Sequence, residues 1–372
     1  MAERWDAIVV GGGAMGTAAA RSLAARGRRT LLLERFRIGH ANGSSHGPNR
    51  IFRLAYHHPD YVRMARLALE EWRALEAEAG QELLVTTGGL DAGIGAPIAS
   101  EALSFAGEPF EWLDPEAVAE RWPALAPPEG GPLLFQGDAG VCRAAPAVAA
   151  QARLARELGA TILEETPVRS IAAAGGGVEV VTAGSEAHRA PVAVVTAGAW
   201  ARPVLLTAGI EIPLRVTREQ VGYAELARPA PLPTLIEWTP EPLRARYALP
   251  VPDRADTVKL GEHQAGATVD PDEPLGAEPA PRNPALDAFA AERFPGSGVT
   301  AVETCLYTNT PDEDFVLDRR GPVVIGSPCS GHGFKFAPLI GRILADLATG
   351  EPPPVPLERF ATGRPSLAGS GQ

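Results

Sequence analysis

The chain has 372 residues, which is long enough for two domains that each bury a hydrophobic core. Its formal net charge is -11, with 45 acidic residues against 34 lysines and arginines, so no nucleic-acid partner is expected. No apolar run approaches the roughly 20 residues of a membrane-spanning helix, and no membrane partner is expected either. Residues 1–6 lead directly into an apolar strand pattern without a signal-like segment, which predicts a soluble, cytoplasmic protein.

The first predicted elements are a strand at 7–10, a glycine turn, a helix ending near residue 26 and a strand at 30–33. Continuously apolar strands of this kind are typical of a parallel sheet covered on both faces. The same pattern returns later, with helices predicted at 151–158 and 337–347 and strands at 160–163, 191–195 and 323–325. The sequence therefore predicts a doubly wound, Rossmann-like α/β domain that is discontinuous along the chain.

A second domain is predicted from the segments in between. Strand patterns at 83–87, 214–224 and 257–260, with proline- and glycine-rich loops at 228–233 and 271–284, favour a mostly antiparallel sheet. Residues from Glu351 onward are predicted to form an extended tail. The predicted dinucleotide domain comprises 1–85, 143–213 and 300–372, and the predicted substrate domain comprises 86–142 and 214–299.

The glycine turn matches the dinucleotide-binding pattern G-x-G-x-x-G between a strand and a helix. Such glycines let the backbone approach a pyrophosphate at a helix N-terminus, and Glu34 ends the next strand, where an acid accepts hydrogen bonds from ribose. The pattern does not separate FAD from NAD, and a glycine-rich turn of another α/β fold is the alternative. The predicted contacts in this turn are Gly11, Gly13, Ala14, Met15 and Gly16.

Lysine occurs only at Lys259 and Lys335, because the other 32 basic residues are arginine. A chain that uses arginine almost everywhere keeps lysine mainly where a compact ammonium is required, so both lysines are candidate functional residues. Lys335 lies in a glycine-rich segment ahead of a predicted helix, whose N–H groups could stabilise negative charge. The three cysteines lack the C-x-x-C spacing of zinc or dithiol sites, and no metal is predicted.

Four segments resemble one known family. They are C-x-Y-T-x-T-P-D-E at 305–313, S-G-H-G-F-K-F at 330–336, N-G-S-x-H-G-x-x-R-I-x-R-x-A-Y at 42–56 and K-L-G-x-H at 259–263. In these strings and in their order the chain is similar to the monomeric sarcosine oxidase and N-methyltryptophan oxidase family. The resemblance spans essentially the whole chain.

The resemblance implies FAD joined through its 8α-methyl group to Cys305. It also implies that Lys259 promotes the reaction with O2 and that Arg53 and Lys335 hold the substrate carboxylate. Further residues near the reacting groups would be His46, Tyr247 and His263. Further cofactor contacts would be Arg35, Ser44, Arg50, Val168, Thr196, Gly198, Trp200, Tyr307, Gly331, His332, Gly333 and Phe334.

The predicted function is oxidation of the C–N bond of a small secondary or N-methyl amino acid to an imine, with O2 reduced to H2O2 by a monomeric enzyme. The chain departs from the family strings at 45–49 and at Glu262, which leaves other substrates open. Oxidation of a cyclic imino acid such as pipecolate or proline, or of a biosynthetic amine, is the main alternative. A nicotinamide-dependent dehydrogenase and an inactive flavoprotein are the others.

Overall fold

The computed structural model describes residues 4–240, 244–273 and 283–368. The helices are α1 Ala14–Ala25, α2 Pro59–Ala79, α3 Gly95–Ala106, α4 Pro115–Arg121, α5 Ala144–Glu157, α6 Ala201–Thr207, α7 Pro284–Arg293, α8 Ala337–Thr349 and α9 Pro365–Ala368. The strands are β1 Ala7–Val10, β2 Thr30–Leu33, β3 Asn49–Phe52, β4 Leu84–Thr86, β5 Gly89–Gly93, β6 Glu111–Leu113, β7 Leu133–Gln136, β8 Gly140–Arg143, β9 Thr161–Leu163, β10 Val168–Ala174, β11 Gly177–Thr182, β12 Ala187–Ala190, β13 Ala193–Val195, β14 Arg215–Glu225, β15 Thr234–Thr239, β16 Arg244–Val251, β17 Arg254–Glu262, β18 Ala267–Thr268, β19 Gly298–Asn309, β20 Val316–Arg320 and β21 Val323–Ser327.

A six-stranded sheet in the order β20-β21-β13-β1-β2-β9 forms the first layer, and only β20 runs antiparallel to its neighbour. Its strands β1, β2 and β13 are buried throughout, as continuously apolar parallel strands require. Helix α1 packs against α8, and a Cβ at Gly341 of α8 would lie 2.5 Å from the Ala18 side chain of α1. The predicted doubly wound domain is confirmed.

A nine-stranded sheet follows the order β18-β14-β17-β16-β15-β5-β7-β6, and β19 also pairs with β14. Its pairings are antiparallel except between β5 and β15, so the mostly antiparallel second sheet is also confirmed. The longest ladder joins β14 to β19, from Arg215 opposite Asn309 to Glu225 opposite Gly298. The predicted domain boundary at residue 300 falls inside β19.

Two three-stranded sheets complete the described strands, in the orders β10-β11-β12 and β3-β8-β4. In the second of these, Arg50 of β3 lies opposite Cys142 of β8. This pairing fixes the segment after β2 against the rest of the molecule. As a result, the polar loop at residues 40–48 is held close to the carboxyl ends of β1 and β2.

The predicted extended tail is wrong for the described part of the segment. Phe360 is 1% exposed, and the Arg364 guanidinium donates to both carboxylate oxygens of Asp312 at 2.7 and 2.9 Å. Burial of Phe360 in the apolar core and the ion pair of Arg364 with Asp312 together hold this segment against the fold. The predicted loop at 271–284 lies largely outside the described residues. Helix α5 begins at Ala144, earlier than predicted, because its first turns are rich in alanine and buried.

Candidate active site

One cavity of about 580 Å³ runs from the carboxyl ends of β1 and β2 to the face of the nine-stranded sheet. Nearly all of the predicted site residues line it. The lining includes Gly11, Gly13, Ala14, Met15, Glu34, Arg35, Ser44, Arg50, Arg53, Val168, Thr196, Gly198, Trp200, Tyr247, Lys259, His263, Cys305, Tyr307, Gly331, His332, Gly333, Phe334 and Lys335. Gly16 and His46 are not among the lining residues.

The glycine turn needs its glycines for two different reasons. Gly11 has φ +100°, and a Cβ there would lie 2.6 Å from the carbonyl oxygen of Thr196. A Cβ at Gly16 would lie 1.7 Å from the carbonyl oxygen of Gly11, so Gly16 shapes the turn without reaching the cavity. The turn therefore delivers the N-terminus of α1 to the cavity with its N–H groups directed at the space that an anion would fill.

Glu34 holds this turn from the end of β2. Its Oε2 accepts the N–H of Gly12 at 2.5 Å, and its Oε1 accepts the N–H of Phe36 at 2.8 Å. Burial opposes ionisation, but hydrogen bonds from His40, Phe36 and Gly12 outweigh it and lower the pKa of the carboxyl. Glu34 is therefore an ionised acceptor at the cavity wall, as a ribose contact requires.

Two predicted residues meet at the outer rim of this end. The guanidinium of Arg35 lies 5.2 Å from the ring centre of Trp200, and both side chains contact the carboxylate of Asp272. The Arg35 and Asp272 side chains are 41% and 58% exposed, so their ion pair is a contact at the solvent boundary.

Cys305 faces the cavity from β19, where it lies opposite Glu219 of β14. It is a free cysteine, 9% exposed. Burial raises the pKa of its thiol, while the nearby charges of Arg50 and Lys259 act in the opposite direction. The hydroxyl of Ser44 donates to the carbonyl oxygen of Leu306, which ties the polar loop to the strand that carries this cysteine.

Lys259 is buried in the centre of β17, opposite Tyr223 of β14. Its ammonium donates to the carbonyl oxygen of Asn49 at 3.3 Å. Desolvation is the largest influence and the charge of Arg50 adds to it, so the pKa of Lys259 falls to about 7. The group can therefore change its charge in the neutral range, and a negative charge in the cavity would favour its ammonium form.

His46 lies within range of the charges of Arg50 and Lys259 but is not among the residues that line the cavity. Its Nε2 is buried without a hydrogen-bond partner among the described residues. Burial and the charge of Arg50 lower its pKa to about 4, so the ring is neutral at neutral pH. The structure thus places His46 beside the predicted oxygen-reactive lysine and not at the cavity surface.

Two buried basic side chains mark the opposite end of the cavity. Lys335 is 2% exposed, and its Nζ donates to Tyr56 Oη and to the His332 carbonyl oxygen, both at 2.8 Å. Burial, reinforced by the charge of Arg53, holds the pKa of Lys335 well below its usual range. Arg53 is 8% exposed, with its guanidinium 4.4 Å from the Tyr56 ring centre. A bound carboxylate would satisfy both groups.

A hydrogen-bond chain extends from Lys335 through aromatic residues. His332 Nε2 lies 3.1 Å from the carbonyl oxygen of Glu313, which can only accept, so this nitrogen carries the proton. His332 Nδ1 therefore accepts from Tyr56 Oη at 3.2 Å, and Tyr56 accepts in turn from Lys335. Burial holds the pKa of His332 well below its usual range, consistent with a neutral ring.

The turn at 330–335 meets the nine-stranded sheet at Tyr307 and His263. Gly331 has φ +76°, and a Cβ there would lie 2.3 Å from the Tyr307 ring and 2.6 Å from His263. Burial lowers the pKa of His263 to about 4 and raises that of Tyr307 well above its usual value, so both stay neutral at neutral pH. Tyr247 is hydrogen-bonded to Tyr307.

Three residues of this end were not predicted from the sequence. Tyr56 links Lys335 to His332, Asp91 lies beside Arg53, and Trp238 lies 5.9 Å from the Arg53 guanidinium. Asp91 did carry a signal, because an acid in the apolar strand pattern of β5 must be paired when it is buried. Among the described residues, no three His, Cys, Asp or Glu side chains cluster as metal ligands would.

A family model described as FAD dependent oxidoreductase matches residues 6–347. Peroxisomal sarcosine oxidase of Homo sapiens is 34% identical over 384 residues, covering 98% of this chain and 97% of that protein. N-methyl-L-tryptophan oxidase of Salmonella heidelberg is 30% identical, covering 97% of this chain and 99% of that protein. The solved open form of NikD, an amino acid oxidase essential for nikkomycin biosynthesis, has a TM-score of 0.85 at 26% identity, covering 96% of this chain and 97% of that chain. The chain belongs to the FAD-dependent oxidoreductases.

Proposed function

We propose that the protein oxidises the C–N bond of a small secondary or N-methyl amino acid to an imine and reduces O2 to H2O2. The observation that carries the proposal is the pair of buried basic side chains, Arg53 and Lys335, in the same cavity as the dinucleotide-type glycine turn. The imine then hydrolyses to an amine and a carbonyl compound. Similarity to sarcosine oxidase and N-methyl-L-tryptophan oxidase supports the same substrate class.

The residues present fit FAD. The turn of Gly11 and Gly13 would take the pyrophosphate, Glu34 would accept the ribose hydroxyls, and Cys305, Tyr307 and the 330–335 turn would surround the ring. Bound FAD supplies the two-electron acceptor for the amine and passes those electrons to O2. Family membership and this lining favour FAD over a nicotinamide cofactor.

The protein groups would act by position and charge. Arg53 and Lys335 would pair with the substrate carboxylate, which raises the pKa of Lys335 again and secures its ammonium form. The neutral His263 and Tyr307 can orient the amine by hydrogen bonds without acting as strong bases. Because oxidation of a C–N bond by hydride loss needs an unprotonated amine and a fixed geometry, orientation is the main contribution of these groups.

We further propose a covalent link between Cys305 and the 8α-methyl group of FAD. Its formation would break the thiol S–H bond and one C–H bond of that methyl group, and the two protons and two electrons released would be taken up by the flavin and then by O2, giving H2O2. The cysteine lines the cavity, and although burial raises the pKa of its thiol, the charges of Arg50 and Lys259 offset part of that effect. Cys305→Ala should release the yellow chromophore on acid precipitation, whereas the matched variant Cys329→Ala, which also alters a cavity-lining thiol, should retain it. Chromophore that stays with precipitated Cys305→Ala protein would contradict the link.

Lys259 is the proposed site of O2 reaction, since its ammonium lies close to Cys305 and a positive charge there stabilises developing superoxide. O2 as the acceptor, a monomeric state and a cytoplasmic location complete the proposal. In the described residues no helix is long and apolar enough to span a bilayer.

The test is anaerobic addition of sarcosine, N-methyl-L-tryptophan, L-proline and L-pipecolate to the purified holoenzyme. Bleaching of the flavin absorbance identifies the substrate, and readmission of air should restore the colour and yield one H2O2 per substrate oxidised. Dimethylamine, which lacks the carboxylate, should bleach far more slowly. Failure of every amino acid to bleach the flavin, or equal rates with dimethylamine, would contradict the proposal.

A bulkier cyclic imino acid is the second candidate. Trp238 and Ile236 line the cavity near Arg53, and the His57 ring packs against Trp238 with ring centres 4.4 Å apart and ring planes tilted by 50°. This broad wall of rings and aliphatic groups suits a ring better than a single methyl group. Faster bleaching by L-pipecolate or L-proline than by sarcosine would select this candidate from the same panel.

A further inference from the structure

Arg53 already has a carboxylate partner within the protein. Asp91 lies in the middle of β5, 3% exposed, with its Oδ1 3.6 Å from Arg53 Nη1. That nitrogen is buried and makes no hydrogen bond among the described residues. The Asp91 carboxylate therefore compensates the charge of Arg53 without accepting a hydrogen bond from Nη1. The N–H groups of that nitrogen are left for an acceptor on a bound ligand.

Asp91 is held in place independently of Arg53. The indole Nε1 of Trp238 donates to Asp91 Oδ1 at 3.4 Å, and β5 pairs in parallel with β15, which carries Trp238. The Arg53 guanidinium lies between the rings of Tyr56 and Trp238, 4.4 and 5.9 Å from their centres. The aromatic residues limit movement of Arg53, so both charges stay near each other when a ligand enters.

The charges of this end can be counted. Arg53 is a permanent cation, and Lys335 becomes one when an anion binds beside it. Burial raises the pKa of Asp91, while the charge of Arg53 and the hydrogen bond from Trp238 act in the opposite direction. In its ionised form beside Arg53, Asp91 supplies one negative charge, so a ligand with one carboxylate brings the three groups to neutrality. A ligand with two carboxylates leaves an excess negative charge next to Asp91, in a buried site where such an excess is costly.

We propose that Asp91 is the resident counter-ion of Arg53 and a specificity-determining residue that restricts the substrate to amino acids with a single carboxylate. This rests on the proposed function, because Arg53 and Lys335 are taken as the carboxylate-binding pair. Asp91 acts through Arg53 and through repulsion of a second anionic group. It does not act as a base.

The experiment measures dissociation constants for the holoenzyme by perturbation of the flavin absorption spectrum. Malonate, a dianion in mildly alkaline buffer, is compared with malonamate, which has the same shape and one charge fewer. In the unaltered protein malonamate should bind at least about tenfold more tightly than malonate. In Asp91→Asn, which can keep the Trp238 hydrogen bond, malonate should gain at least about tenfold and the preference should vanish or reverse.

The control variant is Asp114→Asn, which removes an exposed carboxylate outside the cavity and should leave both constants unchanged. Equal binding of malonate and malonamate to the unaltered protein overturns the inference, and this measurement needs no variant to fold. Proportional weakening of both ligands in Asp91→Asn also overturns it, because that result describes a structural role.

Failure of the proposed function has a different signature. If no amino acid bleaches the flavin but malonamate still binds in preference to malonate, the oxidase proposal fails and the role of Asp91 stands. If an N-methyl amino acid bleaches the flavin while malonate and malonamate bind equally, the oxidase proposal stands and the inference about Asp91 fails.

Discussion

The two ends of the cavity are built on opposite principles. At the glycine turn, backbone N–H groups and one acid, Glu34, form the wall, and hydrogen bonds lower the pKa of that acid despite its burial. At the other end, Arg53, Lys259 and Lys335 are buried basic side chains, and burial lowers the pKa of both lysines. Close backbone packing at Gly11 and Gly16 determines the shape of the first end. At the second end, burial makes the charged form of the lysines unfavourable, and a bound anion would offset that cost.

The difference predicts how each end fails. A steric error at the glycine turn should abolish cofactor retention altogether, because the backbone cannot relax around a clash with itself. Removal of a cation at the other end should leave the fold and the cofactor in place and change only rates and substrate binding. The following variants test that division, from the largest expected effect to the smallest.

Gly16→Ala should have the largest effect. Its Cβ would lie 1.7 Å from the Gly11 carbonyl oxygen, so the turn must open and flavin content should fall to background. Gly137→Ala is the matched control, because nothing lies within 4 Å of a Cβ there. Flavin absorbance per protein after purification is the measurement. Normal flavin content in Gly16→Ala would show that charge, not shape, controls this end.

Lys259→Met should lower the rate at which the reduced enzyme reacts with O2 by about 100-fold or more. Anaerobic bleaching by substrate should change much less, because the substrate carboxylate is assigned to Arg53 and Lys335. Stopped-flow measurement of the two half-reactions separates these effects. Equal slowing of both would mean that Lys259 supports the whole site and does not act on O2.

Lys335→Met should raise KM about 100-fold and change kcat less, since it removes one of two partners of a buried carboxylate. The comparison variant is Arg342→Met, which removes an exposed cation from α8 and should leave KM unchanged. Steady-state kinetics with the best amino acid of the panel provide the measurement. An unchanged KM in Lys335→Met would place the carboxylate elsewhere.

The smallest effect is a pH dependence of stability. The pKa of Lys259 is about 7 in the folded protein and 10.5 when unperturbed, so between these values the unfolded chain binds more protons. Lys259 therefore destabilises the fold fully below about pH 7, and the penalty disappears as pH rises toward 10.5. Lys259→Met should raise the free energy of unfolding of the flavin-free protein at both pH values, and the increase should be about 2 kcal/mol larger near pH 7 than near pH 10.5. Denaturant titration at both pH values measures this; an equal gain would refute it.

The glycine end could be predicted because its signal is local. Gly11, Gly16 and Glu34 lie within 24 residues, and the strand, turn and helix that present them follow from short-range periodicity. The sequence also predicted that the strands of this sheet are parallel and buried, but it did not predict their order or register. The prediction that failed was the extended C-terminal tail, because burial of Phe360 and the ion pair of Arg364 hold that proline-rich segment against the fold.

The substrate end could be predicted only in part. Lys335 and Arg53 were found by composition and by resemblance, but neither shows which residues surround them. Asp91 and Trp238 come from strands that pair in parallel across 147 residues of sequence, and no local pattern encodes that pairing. The position of Asp91 beside Arg53 depends on the pairing of β5 with β15, so the structure was needed to identify this contact.

The position of Cys305 has a mechanical consequence. This cysteine belongs to β19, whose eleven paired positions tie it to β14 of the nine-stranded sheet, whereas the glycine turn follows β1 of the six-stranded sheet. A flavin bonded to Cys305 and bound by the glycine turn would cross-link the nine-stranded sheet to the six-stranded sheet. Neither layer could then detach without releasing the cofactor, so the loaded protein should melt in one transition and resist proteolysis between its layers.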